Sequence, residues 1–171
     1  MTVDALKAIF TRRSVRRFTD KPVSGDEITT ILRAGMQAPS ANNEQPWHFI
    51  VIHDRELLDS ITEFHPHAKM LNEAQLAIIV CSQVDPEKKW EMWVQDCSAA
   101  TQNILLAAHA LSLGAVWLGI HPREERINGV KQLFNLPEDA HPFSIIAIGH
   151  PRVLPEPVDR FDESRIHVNK W

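Results

Sequence analysis

Residues Thr11 to Phe18 read Thr-Arg-Arg-Ser-Val-Arg-Arg-Phe, with Arg12, Arg13, Arg16 and Arg17 in six positions and no acid between them. Guanidinium groups hold a phosphate through paired, charge-assisted hydrogen bonds, and the Ser14 hydroxyl can add another. A pocket for a phosphorylated ligand is one reading. A solvated basic face, or a surface patch for nucleic acid, is the ordinary one. A second polar stretch runs Ala38-Pro39-Ser40-Ala41-Asn42-Asn43-Glu44-Gln45-Pro46-Trp47. Its amide side chains offer a donor and an acceptor on one edge, which suits the edge of a heterocycle. Its two prolines give the loop a set shape.

Other chemistries lack their residues. The glycines at 25, 35, 114, 119, 129 and 149 make no GxGxxG. Gly114 and Gly119 have P-loop spacing, but Ile120-His121 follows where Lys-Ser/Thr is needed. There is no GxSxG, and neither a serine nor a cysteine stands in a known nucleophile setting. His65 and His67 flank a proline without a carboxylate at metal spacing, so they read as ordinary loop histidines. His109, in an apolar segment, reads as a hydrogen-bonded buried histidine. An enzyme built from such a chain would leave the hard chemistry to a phosphate-bearing cofactor.

The elements that would position these groups follow from periodicity. Residues 2–10 read as a short helix with Val3, Leu6, Ile9 and Phe10 on one side. Ser24 and Glu27 form a capping-box pattern opening a helix to about Gln37. His48–His53 reads as a strand, Arg55–Phe64 as a helix, Ala68–Glu73 as a shorter one, and Leu76–Cys81 as an inner strand. Glu87–Leu113 reads as the longest helix, its second half apolar on nearly every side, which calls for burial or a subunit interface. Gly114 would cap it. Ala115–Ile120 and Phe143–Ile148 read as strands, with a helix over Pro122–Phe134 between them. From Pro151 the chain is polar and proline-rich, ending in Ile166, Val168 and Trp171, an extended tail that wraps its own core or a neighbour.

The totals set limits. A chain of 171 residues with 44% hydrophobic and 23% charged residues can bury one substantial core. Seven basic and four acidic residues in positions 1–40 give +3, so the rest carries −7 and the net charge is −4. The positive charge is local, as one anionic ligand requires, and does not form the stripe expected for nucleic acid. Cys81 and Cys97 make no CxxC and sit in apolar runs, which fits reduced thiols and the cytoplasm. No apolar run approaches the ~20 residues of a membrane span, and the first residues lack a signal-peptide core.

Taken together and in order, the motifs resemble the FMN-dependent nitroreductase family. They are Arg12 to Phe18, Ala38 to Phe49, Asp96-Cys97-Ser98-Ala99-Ala100-Thr101-Gln102-Asn103, Ala115-Val116-Trp117-Leu118-Gly119, Gly149-His150-Pro151 and Ile166 to Trp171. The resemblance covers essentially the whole chain, residues 1–171, as one FMN-binding domain. It implies an α+β fold with a mostly antiparallel central sheet flanked by helices. It also implies a homodimer in which residues 151–171 form an arm exchanged with the partner.

The resemblance assigns roles by position. Arg12, Arg13, Ser14 and Arg16 would hold the FMN phosphate and ribityl chain, and Arg160 would close that pocket. Pro39, Ser40 and Asn43 would approach the isoalloxazine from the partner subunit, with Asn42 beside them. Gln45, Pro46 and Trp47 would hold the loop. Lys69 would reach the pyrimidine edge, and Leu118 and Gly119 would present backbone N–H groups near N5. No side chain is expected to do the chemistry itself. NADH or NADPH would pass hydride to N5, and a nitroaromatic, quinone or similar acceptor would collect it in ping-pong turnover. Trp90 and Trp93 are open to core packing or to stacking on an acceptor. A flavin-fragmenting or dehalogenating relative and a non-catalytic FMN-binding module are the alternatives.

Overall fold

The computed structural model describes residues 4–83 and 91–171. Its frame is a four-stranded antiparallel sheet: β1 (Trp47–Ile52), β2 (Leu76–Gln83), β3 (Gly114–Gly119) and β4 (Ala140–Gly149), in the order β1-β2-β4-β3. The registers are Trp47↔Ser82, Leu76↔Ile148 and Gly114↔Gly149. The two inner strands are buried on both faces, which is why Leu76 to Cys81 is continuously apolar rather than alternating.

Helices cover both faces. Ala77, Ile79, Val116, Leu118, Ile145 and Ala147 meet Leu58 and Ile61 of α3 (Arg55–Phe64) and Val130 of α5 (Glu124–Leu133). On the opposite face Leu76, Ile78, Val80, Ile146 and Ile148 meet Ile31 of α2 (Gly25–Met36) and Cys97, Ala100 and Ile104 of α4 (Trp93–Ala110). The expected α+β architecture with a mostly antiparallel sheet is the one observed. The first helix, α1 (Ala5–Thr11), starts at Asp4, whose carboxylate accepts from Leu6 N at 2.8 Å. The capping box of α2 is complete, with Ser24 N donating to Glu27 Oε2 at 2.8 Å and Glu27 N to Ser24 Oγ at 3.3 Å.

Three features depart from the periodicity. The observed α4 begins at Trp93, and the expected start at Glu87, like Trp90, lies outside the described residues. Its far side is not enclosed by the chain: Ala99, Asn103, Leu106, Ala107 and Ala110 are half-buried and Gln102 is exposed. Part of this side, with Ala5, Ala8 and Ile9 of α1, lines an open cavity of about 450 Å³. Gly114 does not cap the helix either. Ser112 takes the left-handed conformation at φ 62°, and Gly114 sits in β3 where a Cβ would lie 2.7 Å from Val15 Cγ1. The glycine is there for close approach of the arginine segment.

The tail leaves the core. Arg152 N donates to Arg17 O at 3.0 Å, and Phe18 pairs with Pro151. From Glu156 to Trp171 every residue is exposed, including Phe161 at 75%, Val168 at 79% and Trp171 at 102%. Apolar groups this exposed on an extended arm need another surface to cover them.

Candidate functional site

The arginine segment is tied to the outer edge of β3. Val15 N donates to Ala115 O at 3.0 Å, and Ser14 bridges Ala115 in parallel. Val15 and Phe18 are buried, over Gly114 and Gly149 respectively. These two apolar anchors alternate with the polar residues, so they leave Ser14 half-buried and Arg16 exposed. Arg17 is taken up in an ion pair with Glu73 at 2.9 Å, and the same carboxylate accepts from Phe18 N at 3.1 Å. Arg13 Nη1 donates to Glu156 O in the tail.

Arg12 is half-buried, and its guanidinium is held below its ordinary value by burial first, then by the positive charges of Arg160 and Arg13. Among the described residues no carboxylate pairs with Arg12, Arg16 or Arg160. The sequence placed Arg160 148 positions from Arg12, and the fold brings the two cations into electrostatic contact. Clustered like charges without a counter-charge are arranged for an anion.

Register decides which groups of β3 face outward. Ile120 N donates to Phe143 O at 3.1 Å, and Ala115 O accepts from Val15, so Gly114, Val116 and Leu118 bond to β4 while Ala115, Trp117 and Gly119 point away. The expected pair therefore divides. Gly119 N–H faces out from the edge, whereas Leu118 N–H is turned to Ile145 and its side chain is buried. A Cβ built on Gly119 would meet nothing within 4 Å. From Ala115 to Gly119 the edge runs about 13 Å.

The amide loop is held by its own side chains. Asn42, Asn43 and Gln45 adopt left-handed φ values of 51°, 56° and 49°. Ser40 Oγ accepts from Gln45 N at 3.0 Å, Asn43 Oδ1 accepts from Gln45 Nε2 at 2.9 Å, and Pro46 O accepts from Gln83 N at 2.9 Å. Trp47 is buried in the core. Ser40 and Asn43 thus shape the loop, as Gln45, Pro46 and Trp47 do. Asp96, buried in the first turn of α4, accepts from Ala41 N at 3.0 Å. Sequence reading gave Asp96 no role, although a lone acid in an apolar helix is itself a signal for a buried hydrogen bond.

Lys69 stands exposed at the start of a 3₁₀ turn, Lys69–Asn72, which follows the buried His65. Trp93 packs among His121 (ring centroids 4.8 Å), His141 (5.7 Å) and Phe143 (6.2 Å), which supports the packing reading for it. His109 Nε2 lies 2.7 Å from Thr11 Oγ1, so the histidine is hydrogen-bonded as expected, but it is half-buried rather than buried. The two thiols are buried, and burial pushes both Cys81 and Cys97 up to about 12, which makes them inert.

The residues present fit a flat ligand that carries a phosphate. Arginines without a carboxylate partner among the described residues stand with Ser14 at one end of the β3 edge, and an open glycine with an outward N–H stands at the other. Arg12, Ser14, Arg16 and Arg160 would hold the phosphate end, and Gly119 would lie against the ring.

Comparison with known proteins identifies the family. The model of the nitroreductase family matches residues 9–65 and 63–150. A protein of Methanothermobacter thermautotrophicus, provisionally named NADH dehydrogenase/NAD(P)H nitroreductase, is 52% identical over 169 residues, covering 99% of this chain and 88% of its own length. A crystal structure of a protein with the same provisional name from Bacteroides thetaiotaomicron is 43% identical, covers 100% of each chain and superposes with a TM-score of 0.94. A Desulfovibrio desulfuricans protein, provisionally a nitroreductase and solved in complex with FMN, is 34% identical, covers 100% of this chain and 99% of its own, and gives a TM-score of 0.82. The chain belongs to the nitroreductase family.

Proposed function

We propose that this chain is an FMN-dependent oxidoreductase that moves reducing equivalents from NADH or NADPH to a nitroaromatic, quinone or similar acceptor. The observation that carries the reading is Arg12, Arg16 and Arg160, which pair with no carboxylate among the described residues, at one end of a strand edge whose other end is the open Gly119. FMN, when bound, supplies the hydride chemistry at N5, with donor and acceptor taking turns in ping-pong order.

The chain's own groups bind and orient. Arg12, Arg16 and Arg160 neutralise the phosphate, Ser14 hydrogen-bonds it, and Arg13 holds the tail through Glu156 O. Gly119 offers a backbone N–H to the reacting edge. Lys69, with no partner among the described residues, supplies positive charge to the pyrimidine edge, where preorganised charge is worth most. The protein acts as a homodimer, in which the half-covered side of α4 and the exposed Phe161, Ile166, Val168 and Trp171 find cover on the partner. Pro39, Ser40 and Asn43 then complete the partner's site. Residues 1–171 form one FMN-binding unit with 151–171 as its arm. The inert, reduced Cys81 and Cys97 suit the cytoplasm.

The test is the visible absorption spectrum of the purified protein, followed by anaerobic addition of NADPH and then NADH. A flavin spectrum that bleaches with either donor supports the oxidoreductase. A flavin bleached by dithionite alone leaves a binding module, and a colourless protein that takes up no FMN refutes the reading.

A further inference from the structure

The carbonyl of Gly119 receives two donors from outside its own sheet. His65 Nε2 lies 3.1 Å away and Arg126 Nη1 donates at 2.7 Å. His65 is 1% exposed and caps the end of α3, and Arg126 stands in the first turn of α5. His67 N donates to His65 Nδ1 at 3.3 Å, so that nitrogen carries no proton and Nε2–H is the donor to Gly119. Burial, ahead of the nearby Arg126 charge, holds the His65 imidazole below its ordinary value and keeps it neutral. The two helices are brought together at one further glycine. A Cβ on Gly129 of α5 would lie 2.5 Å from the Phe64 ring of α3, the residue next to His65.

Such an arrangement is more than a strand end requires. A terminal glycine on an open edge is the most mobile residue a strand can have. Its N–H is aimed only if the rest of the residue is held. Leu118, bonded to β4, fixes the preceding peptide. Ile120 N, donating to Phe143 O at 3.1 Å, ties the nitrogen of the following peptide, and the two donors hold its carbonyl end.

We infer that His65 and Arg126 are positioning residues that clamp Gly119 through its carbonyl and hold its outward N–H, with the Arg126 charge beside it, against the reacting edge of the flavin. The inference rests on the proposed FMN-dependent function. It gives work to His65, which sequence alone read as an ordinary loop histidine, and to Arg126, which sequence did not single out.

The experiment compares wild-type holoprotein with Arg126→Gln and Arg126→Lys. Three quantities are measured: FMN content, the potential of bound FMN by dye equilibration, and anaerobic bleaching at saturating NADH or NADPH. Arg126→Gln is expected to keep its FMN, to bleach about 10-fold more slowly, and to have a more negative potential. Arg126→Lys, which keeps the charge but loses the planar fork, recovers the potential and only part of the rate. His65→Gln keeps an N–H donor and stays within about 3-fold of wild type, whereas His65→Leu slows bleaching as Arg126→Gln does. Wild-type rate and potential in Arg126→Gln would overturn the clamp while leaving the function standing. Should that variant fold poorly, Arg126→Lys indistinguishable from wild type in both rate and potential would do the same. A wild-type protein that binds no FMN, or whose FMN no nicotinamide bleaches, removes the function and the clamp together.

Discussion

Gly119→Ala separates the binding role of the β3 edge from its structural role, because the two effects have opposite signs. In the chain itself the added methyl meets nothing within 4 Å, and Gly119 is not among the positive-φ residues. Replacing glycine at a compatible position stabilises by about 0.4–1 kcal/mol through the unfolded state. For a chain of this size that raises the melting midpoint by about 1–4 °C. The same methyl would stand in the space assigned to the flavin ring. Overpacking a closely fitted contact costs about 1–3 kcal/mol, which is a loss of about 5- to 150-fold in FMN affinity. Gly114→Ala is the control, since its Cβ would lie 2.7 Å and 2.8 Å from Val15 atoms. That variant should lose about 1–3 kcal/mol of stability, a drop of about 2–12 °C. Thermal melts of flavin-free protein and fluorescence titration with FMN measure both quantities. A Gly119→Ala protein that binds FMN with wild-type affinity would refute the placement of the ring at this edge.

Arg12→Ala with Arg16→Ala should yield a folded protein that purifies without FMN, because neither arginine has a structural partner among the described residues; full flavin content by absorbance would disprove the phosphate site. Removing residues 158–171 spares Arg152 and Glu156, which bind the arginine segment, and strips the exposed Phe161, Val168 and Trp171. The shortened chain should sediment with a weakened dimer, and an unchanged dimer would count against the exchanged arm. Acid should destabilise the protein first through its histidines. His65, His109 and His141 are held below their ordinary value of 6.5, each chiefly by burial. The folded state then binds fewer protons than the unfolded one just below that pH, so stability falls as pH drops through about 6.5. The depressed carboxylates Glu27 and Glu73 add their loss only below about 4.5, their ordinary value. Melting midpoints at pH 7.5 and 5.5 test this, and equal midpoints would contradict it.

Much of the fold was legible locally. Arg55–Phe64 folds as read, because Asp54 caps it and Leu58 and Ile61 recur at helical spacing. The capping box at Ser24 and the apolar run at Leu76 also act through near neighbours. Reading failed where the reason for a residue lies far along the chain. Gly114 looked like a helix cap because it follows a helix, yet it is small for Val15, 99 positions away. Arg17, given no site role by its sequence, pairs with Glu73, 56 positions away.

By itself the sequence determined which residues could serve a phosphate-bearing ligand, the helices that carry their own caps, and a strand buried on both faces. Those properties depend on residue type and on spacing within a few positions. Only the tertiary structure decided that Gly119 faces out while Leu118 faces in, that Arg160 joins Arg12, and that His65 and Arg126 meet at one carbonyl. Register, helix packing and the path of the tail set these distances, and none of them is a property of any short stretch of chain.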